Sequence, residues 1–315
     1  MNRLLSLVAC AFAMLLCGQV AGAPWDTVVL RDDFETGVGT ANMPDPNMWV
    51  VNHTPWWWVQ GRTFFPSPTY HPAGPFPRVE NGVCTIEHHH YNPYHLETPK
   101  TTFLGGEIHT VMAFGPTGAY RIEARVRCFP YPNGLVTSFF TYGYDGSRSD
   151  EIDFEFVSNK TNDDANYPSG DPVLTNPWDE SIQDPEYVEV SGLDLTEWNV
   201  FRIYWYPGQR VEWTWIAPIA GETLIRRETS HVPDESMAVY FNFWAPTAAW
   251  ADACDGGLQP AQTPPENQIH TYEIDYVEVR VPEPLTWMVL ATGTAWLLMR
   301  KSRNSPRQQR PPYGG

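Results

Sequence analysis

Basic residues are scarce: 20 Lys and Arg stand against 37 Asp and Glu in 315 residues, a formal charge of −17. The first 23 residues and the segment from Leu285 onward hold six of the basic residues and no acid. The remainder therefore carries 14 basic against 37 acidic residues, or −23. Such a surface excludes nucleic acid as a partner and disfavours sulfated or carboxylated polymers; a neutral polymer fits better. Cysteine is almost as rare. Cys10 and Cys17 lie near the N-terminus, which leaves Cys84, Cys128 and Cys254 at irregular spacing. An odd count of this kind supplies no disulfide framework, so a packed core must hold the fold. Long apolar runs are confined to the two ends, and no helical period persists over twelve residues between them.

What the chain does have is aromatic mass, with 14 tryptophans, and short alternating runs broken by Pro, Gly, Asn and Asp. Strands are predicted at Val28 to Asp33, Val83 to His88, Glu107 to Ala113, Tyr120 to Arg127 and Leu135 to Tyr142. More follow at Val200 to Tyr206, Val211 to Ile216, Met237 to Trp244 and Tyr272 to Val279, with weaker character at Pro172 to Asn176. Near-regular spacing of many strands points to an all-β sandwich in which one sheet forms a concave cleft. Two loop-rich stretches interrupt the series: Glu35 to Pro77, which contains Trp56-Trp57-Trp58, and Ser158 to Glu186.

The densest chemistry is S-D-E-I-D-F-E-F, Ser149 to Phe156. Read with period two, Glu151, Asp153 and Glu155 share one strand face and Ile152, Phe154 and Phe156 the other. Like charges on one face repel, a cost accepted where carboxylates do chemical work. Glu151 and Glu155 are about 13 Å apart along the strand at their Cα atoms. On a concave face their side chains can lean toward the roughly 5–5.5 Å separation used by retaining glycosidases. The alternative is a solvated acidic face.

The ends read separately from residues 24–280. Arg3, the apolar run from Leu4 to Leu16 and Ala21-Gly22-Ala23 predict a signal peptide over residues 1–23. At the other end, Pro282-Glu283-Pro284, the apolar run Leu285 to Met299 and the basic residues Arg300, Lys301 and Arg303 resemble the PEP-CTERM sorting tail of exported bacterial proteins. That resemblance assigns residues 281–303 to a sorting segment with a short transmembrane helix and 304–315 to a disordered basic tail. It implies transient membrane anchoring, processing by a sorting protease of the exosortase type, and delivery to the cell surface or the extracellular space. A plain C-terminal anchor is the alternative.

G-A-Y-R-I-E-A-R-V from Gly118, G-L-V-T-S-F-F-T-Y from Gly134, D-E-I-D-F-E-F from Asp150, F-N-F-W from Phe241 and Y-E-I-D-Y-V-E-V from Tyr272 occur in that order. Together they resemble glycoside hydrolase family 16, whose members include lichenases, laminarinases and xyloglucan endotransglycosylases. The resemblance implies a β-jelly-roll sandwich of two antiparallel sheets and a retaining endo-glycanase acting on a polysaccharide, with no cofactor needed for catalysis. It makes Glu151 the nucleophile, Asp153 its hydrogen-bonded helper and Glu155 the acid/base. It also places Glu107, Asn242 and Trp244 along the glycone side of the cleft, and a structural calcium on the convex side at Asp275 and the Gly82 carbonyl.

Ser149 stands where lichenases carry tryptophan, which leaves strict mixed-linkage specificity open. The uninterrupted Glu-x-Asp-x-Glu spacing resembles the lichenase and xyloglucan-active branch rather than the bulged strand of laminarinase-like members. Glu87-His88-His89-His90 with His95 suggests a metal site, but consecutive histidines on a strand cannot all face one ion. The reading is therefore an exported, monomeric endo-β-glucanase for a mixed-linkage, xyloglucan-like or β-1,3 glucan. The alternatives are a transglycosylase on the same polymers and a non-catalytic glycan-binding matrix protein.

Overall fold

Alternation in the sequence becomes two sheets in the computed structural model, which describes residues 25–282 except 40–41, 55–58, 72–73, 75, 95–97, 129, 164 and 181. The expected signal peptide, the sorting segment beyond Pro282, the basic tail, the run Trp56-Trp57-Trp58 and His95 lie outside the described residues. The first strands are β1 (Thr27–Asp32), β2 (Trp49–Val51), β3 (Thr63–Phe64), β4 (Arg78–Glu80), β5 (Val83–His89) and β6 (Phe103–Leu104). Next come β7 (Gly106–Phe114), β8 (Tyr120–Cys128), β9 (Val136–Tyr144), β10 (Ser149–Val157) and the short helix α1 (Ser158–Thr161). The chain then forms β11 (Pro172–Asp179), β12 (Ile182–Gln183), β13 (Glu186–Glu189), β14 (Asn199–Tyr206), β15 (Arg210–Ala217), β16 (Gly221–Glu228), β17 (Met237–Trp244) and β18 (Ile269–Val281).

The outer sheet runs β16-β15-β14-β8-β18-β5-β6-β3, with β1 on β18 and β4 on β5; the inner sheet runs β12-β11-β10-β9-β17-β7-β2, with β13 on β11. Leaving β1 aside, all pairings but β3 with β6 are antiparallel. This is the jelly-roll sandwich the resemblance implied. Residues Val28–Val281 pack as one compact unit.

The core lies between the sheets and is aromatic where it backs β10. Ile152, Phe154 and Phe156 are fully buried there. Phe139 stacks on Phe154 at 6.1 Å and on Phe241 at 5.3 Å between ring centres, and Phe201 meets Phe154 at 5.1 Å. From the outer sheet, the buried Trp213 indole donates to the Asp153 carbonyl at 2.8 Å, so the catalytic-candidate strand is fixed from behind. Cys84 and Cys128 are buried and Cys254 is partly so; all three are free.

Seven strands, β2, β3, β4, β6, β12, β13 and β16, lie where none was predicted, and the first five of these are only two or three residues long. β13 and β16 are short of buried apolar residues because both sit at sheet edges, and an edge strand keeps polar side chains on both faces.

Candidate active site

Antiparallel pairing places directly opposed residues side by side on one face, and the inner sheet uses this to line up its polar residues in rows. One row runs Leu174, Glu155, Ser138, Asn242 and Glu107 across five strands. It ends at Asn52, whose amide bonds the Glu107 carbonyl. The next row is Asn176, Asp153, Phe140 and Tyr240, and the third is Trp178, Glu151 and Tyr142. The β9–β10 register is unbroken from Ser149 opposite Tyr144 to Val157 opposite Val136, as the uninterrupted acid spacing predicted. Gly134, at φ 97°, precedes β9, and a Cβ there would meet Asp255 and Leu258 at 3.0 Å. The approach strand therefore needs glycine where it passes the 245–268 loop.

Asp150, the acid just before the triplet, has a structural task. It is buried and accepts amides from Glu180 at 3.1 Å, Asp234 at 2.8 Å and Glu235 at 2.9 Å. These three bonds pin the start of β10.

Glu151 and Glu155 floor two adjoining hollows of about 290 and 580 Å3. Glu107, Asn242 and Trp244 line the smaller one, so all six predicted catalytic and sugar-binding residues converge on one cleft. Glu107 does not offer free oxygens. Asn52 Nδ2 donates to its Oε1 at 2.5 Å and Asn242 Nδ2 to its Oε2 at 3.1 Å. Glu107 thus orients Asn242 and leaves Asn242 Oδ1 without a protein partner. Trp244 Nε1, Asn176 Oδ1, Ser138 Oγ and Asp153 Oδ1 are likewise buried and unpartnered. Buried polar atoms are nearly always bonded, so this concentration in one groove marks a surface prepared for a hydroxylated ligand.

The triplet carries unusual proton affinity. Burial raises the Asp153 carboxyl well above its ordinary range, and the charges of Glu151 and Glu155 raise it further. Glu155 is raised first by burial and then by the Glu151 charge; Ser138 approaches it closely enough to hold the shift back without completing a hydrogen bond. Glu151 is raised by burial and by the charge of Glu107, with the hydrogen-bonding approach of Asp153 acting against them. Among the described residues, no Lys or Arg pairs with any of the three acids. Three carboxyls crowded in this way share protons near neutral pH, with Glu151 raised less than Glu155, which suits Glu155 to donate while Glu151 attacks as carboxylate.

The other predicted sites fare differently. Asp275 lies on the outer sheet, where its Oδ2 accepts from Arg125 Nη1 at 2.8 Å. A calcium held by Asp275 and the Gly82 carbonyl would have to share that acid with Arg125. Among the described residues no group of three or more His, Cys, Asp or Glu is placed to bind a metal. The histidines alternate across β5 as strand geometry requires. His88 is buried against Phe103 and Phe243, His89 bonds Glu87 at 2.9 Å, and His90 meets His270 at 3.2 Å.

The cleft also holds Tyr142, Tyr240, Asn176, Trp178, Tyr187 and Trp250, none of which sequence reading selected. Parity along T-S-F-F-T-Y and F-N-F-W was the available signal, since Ser138, Phe140 and Tyr142, like Tyr240, Asn242 and Trp244, sit two residues apart on one face.

This arrangement defines a carbohydrate-cleaving sandwich with an acidic floor. A profile of the glycosyl hydrolases family 16 matches residues 80–278, and the chain belongs to that family. No curated protein sequence matches it. Among solved structures it is similar to a β-1,3-1,4-glucanase (lichenase) from a mouse hindgut metagenome, at 19% identity and TM-score 0.55 over 80% of this chain and 98% of the other. It is similar to the catalytic domain of an endo-1,3-β-glucanase (laminarinase) from Thermotoga petrophila, at 17% identity and TM-score 0.57 over 82% and 98%. An immunostimulatory antigen and pseudo β-1,3-glucanase of Mycobacterium tuberculosis is also similar, at 18% identity and TM-score 0.52 over 81% and 98%.

Proposed function

We propose that the protein is an exported, retaining endo-β-glucanase that hydrolyses internal bonds of a neutral β-glucan, of mixed-linkage, xyloglucan-like or β-1,3 type. The observation that carries this reading is the triplet: three cation-free acids at the floor of a groove lined by unpartnered polar groups. Fold alone would not suffice, since the mycobacterial pseudo-glucanase shares it. A glycan binder has no need of all three acids.

Glu151, ionised, attacks the anomeric carbon while Glu155 donates its proton to the departing glycosidic oxygen. Asp153 carries a proton between them and shields Glu151 from the second negative charge. Water then enters, Glu155 removes its proton, and the oxygen displaces Glu151 with net retention. Glu107 holds Asn242 so that its free Oδ1 meets a sugar hydroxyl, and Trp244 offers an aromatic face with a free N–H. The sorting-tail resemblance adds surface delivery after exosortase-type processing; mass spectrometry of the mature C-terminus reads this directly, and an intact terminus would favour a plain anchor.

The test is incubation of the purified protein with mixed-linkage glucan, xyloglucan, laminarin and carrageenan. A neutral glucan should give oligosaccharides of intermediate size at a rate nearly independent of salt, while carrageenan stays uncut. Absence of cleavage on every neutral glucan would sink the reading.

A further inference from the structure

The run Glu87-His88-His89-His90 takes no part in the cleft, and strand alternation divides it between the two faces of the outer sheet. His89 faces outward, where it bonds Glu87 at 2.9 Å and Arg78 pairs with the same carboxylate at 2.8 Å. His88 and His90 face inward and are 0% and 7% exposed. β18 adds His270, directly opposite His88 in the register. His90 Nε2 and His270 Nε2 lie 3.2 Å apart, so one imidazole donates to the other. His88 packs on Phe103 and Phe243, with ring centres 5.1 and 5.2 Å away, and neither of its nitrogens has a partner. A neutral imidazole carries one N–H, so a buried donor goes unbonded there, which costs stability.

The surroundings make a charge on these rings costly. β6 and β17 offer only Phe103 and Phe243, and Tyr131 stands 6.0 Å from the His270 ring with its OH committed to the Thr271 carbonyl. The charged or titratable groups beside the cluster are His89 on the same strand and Arg62 from the turn before β3, whose guanidinium lies 5.2 Å from the centre of the Phe103 ring. Among the described residues no carboxylate pairs with any of the three histidines. A second proton on the His90–His270 pair would set two cations face to face across a bond that only a neutral ring can accept. The cluster also occupies a junction. The His90 amide donates to the Gln268 carbonyl at 3.0 Å and its carbonyl accepts the Ala261 amide at 2.8 Å, which ties β5 to the segment leading into β18. Phe243, against which His88 rests, stands in the chain between Asn242 and Trp244 of the cleft.

We infer that His88, His90 and His270 form an acid-sensitive latch: protons taken up by their rings part β5, β18 and residues 259–268 from the back of β17 while the other end of the outer sheet stays closed. Acid would then withdraw the support behind Asn242 and Trp244, so that the cleft is intact only above the pH at which the latch opens. The inference is independent of what the cleft binds. Burial is the leading cause by which all three rings hold protons less tightly than an ordinary imidazole; at His88 and His90 neighbouring histidines add to it, and His90 is brought down to about 4. In an opened end the rings return to about 6.5. Above that pH neither form is protonated and the latch is silent. Below it opening takes up protons and grows easier, until about pH 4, where His90 titrates in the closed form as well.

Amide hydrogen exchange of the purified protein, read by mass spectrometry at pH 7.5 and pH 5 and corrected for the intrinsic exchange rate, measures the opening directly. With about 6.5 open and about 4 closed, His90 alone should make opening about 30-fold easier at pH 5 than at pH 7.5. Protection in β5, in residues 259–268 and at the start of β18 should therefore fall at least that far, while the β14–β15 hairpin of the same sheet changes much less. Return to pH 7.5 should restore it. His90→Gln can still donate to His270 but takes up no proton, and His88→Phe puts carbon where two unbonded nitrogens stood. Each should shrink the acid loss about tenfold or more, and His88→Phe should also raise protection at pH 5 above that of wild type. If the larger Phe ring overpacks the site and that variant folds poorly, His90→Gln decides alone. A loss of equal size in the β14–β15 hairpin, or one that His90→Gln leaves unchanged, overturns the latch.

Discussion

Both sheets present acids on their solvent sides, and the two faces treat them in opposite ways. On the outer sheet, Glu278 is only 2% exposed, yet it receives Arg31 Nη1 and Arg121 Nη2 at 2.9 Å each and Arg280 Nε at 2.5 Å. Beside it, Glu123 accepts from Arg202 and from Tyr276 OH. Burial alone would raise the Glu278 carboxyl, but the hydrogen bonds and charges of Arg280 and Arg31 overcome it and set it down to about 2. On the inner sheet burial is again the leading influence on Glu151, Asp153 and Glu155, but among the described residues no cation answers it. Burial is common to both faces; the placement of arginine decides whether a buried acid is a permanent charge or a proton carrier.

The sharpest way to break this comparison is to remove the attacking acid. Glu151→Gln keeps the shape and abolishes the nucleophile, so turnover should fall roughly 10^4-fold or more while the fold and glucan affinity persist. With azide, Glu151→Ala should yield the α-glycosyl azide and Glu155→Ala the β-glycosyl azide, resolved by NMR of the product. Substantial residual hydrolysis in Glu151→Gln would show that the triplet is not the machinery.

The contrast also explains what the sequence disclosed. The triplet was legible because its signal is local: three acids at period two, backed by three apolar residues at the same period. The resemblance supplied Glu107, Asn242 and Trp244, which alternation alone cannot separate from core-facing neighbours. The rows that complete the cleft depend on register between strands far apart in sequence, and no single segment records that Asn176 opposes Asp153 or Trp178 opposes Glu151. Arg226 reads as an ordinary surface arginine on a polar edge strand. Its burial arises from a contact between two sheets. The Arg125 partner of Asp275 was hidden for the same reason, because it comes from a different strand.

A second test weakens the outer face. Glu278→Gln leaves Arg31, Arg121 and Arg280 without their shared carboxylate. It should cost about 2 kcal/mol at neutral pH, less than the roughly 3–5 of a fully enclosed pair because Arg31 reaches solvent. The folded carboxyl is held below its unfolded value of about 4.3. Its contribution is therefore complete above that pH and disappears as pH falls toward about 2. Denaturant unfolding of wild type and variant should give curves that converge in acid. A constant gap down to pH 2 would mean that the arginine cluster does not act through charge.

The smallest expected effect runs the other way and bears most directly on the difference between the faces. Glu155 binds its proton more tightly when folded than the roughly 4.3 of an unfolded glutamate. The native state therefore carries the extra proton between those two values, and stability declines as pH rises through that window. Below it, both states are protonated and the penalty vanishes. Glu155→Gln cannot ionise, so it should match the wild type near pH 4 and become more stable as pH rises. The gain should level off at about 1–2 kcal/mol, a modest figure because the side chain keeps some contact with water in the cleft. Thermal unfolding of both proteins from pH 4 to pH 9 measures it. The site would then be carrying a stability cost for its proton, opposite in sign and pH direction to the Glu278 cluster on the other sheet. If Glu155→Gln is less stable than wild type at alkaline pH, or if the gap does not change with pH, then Glu155 is not a carboxyl held in its protonated form, and its role as acid fails with it.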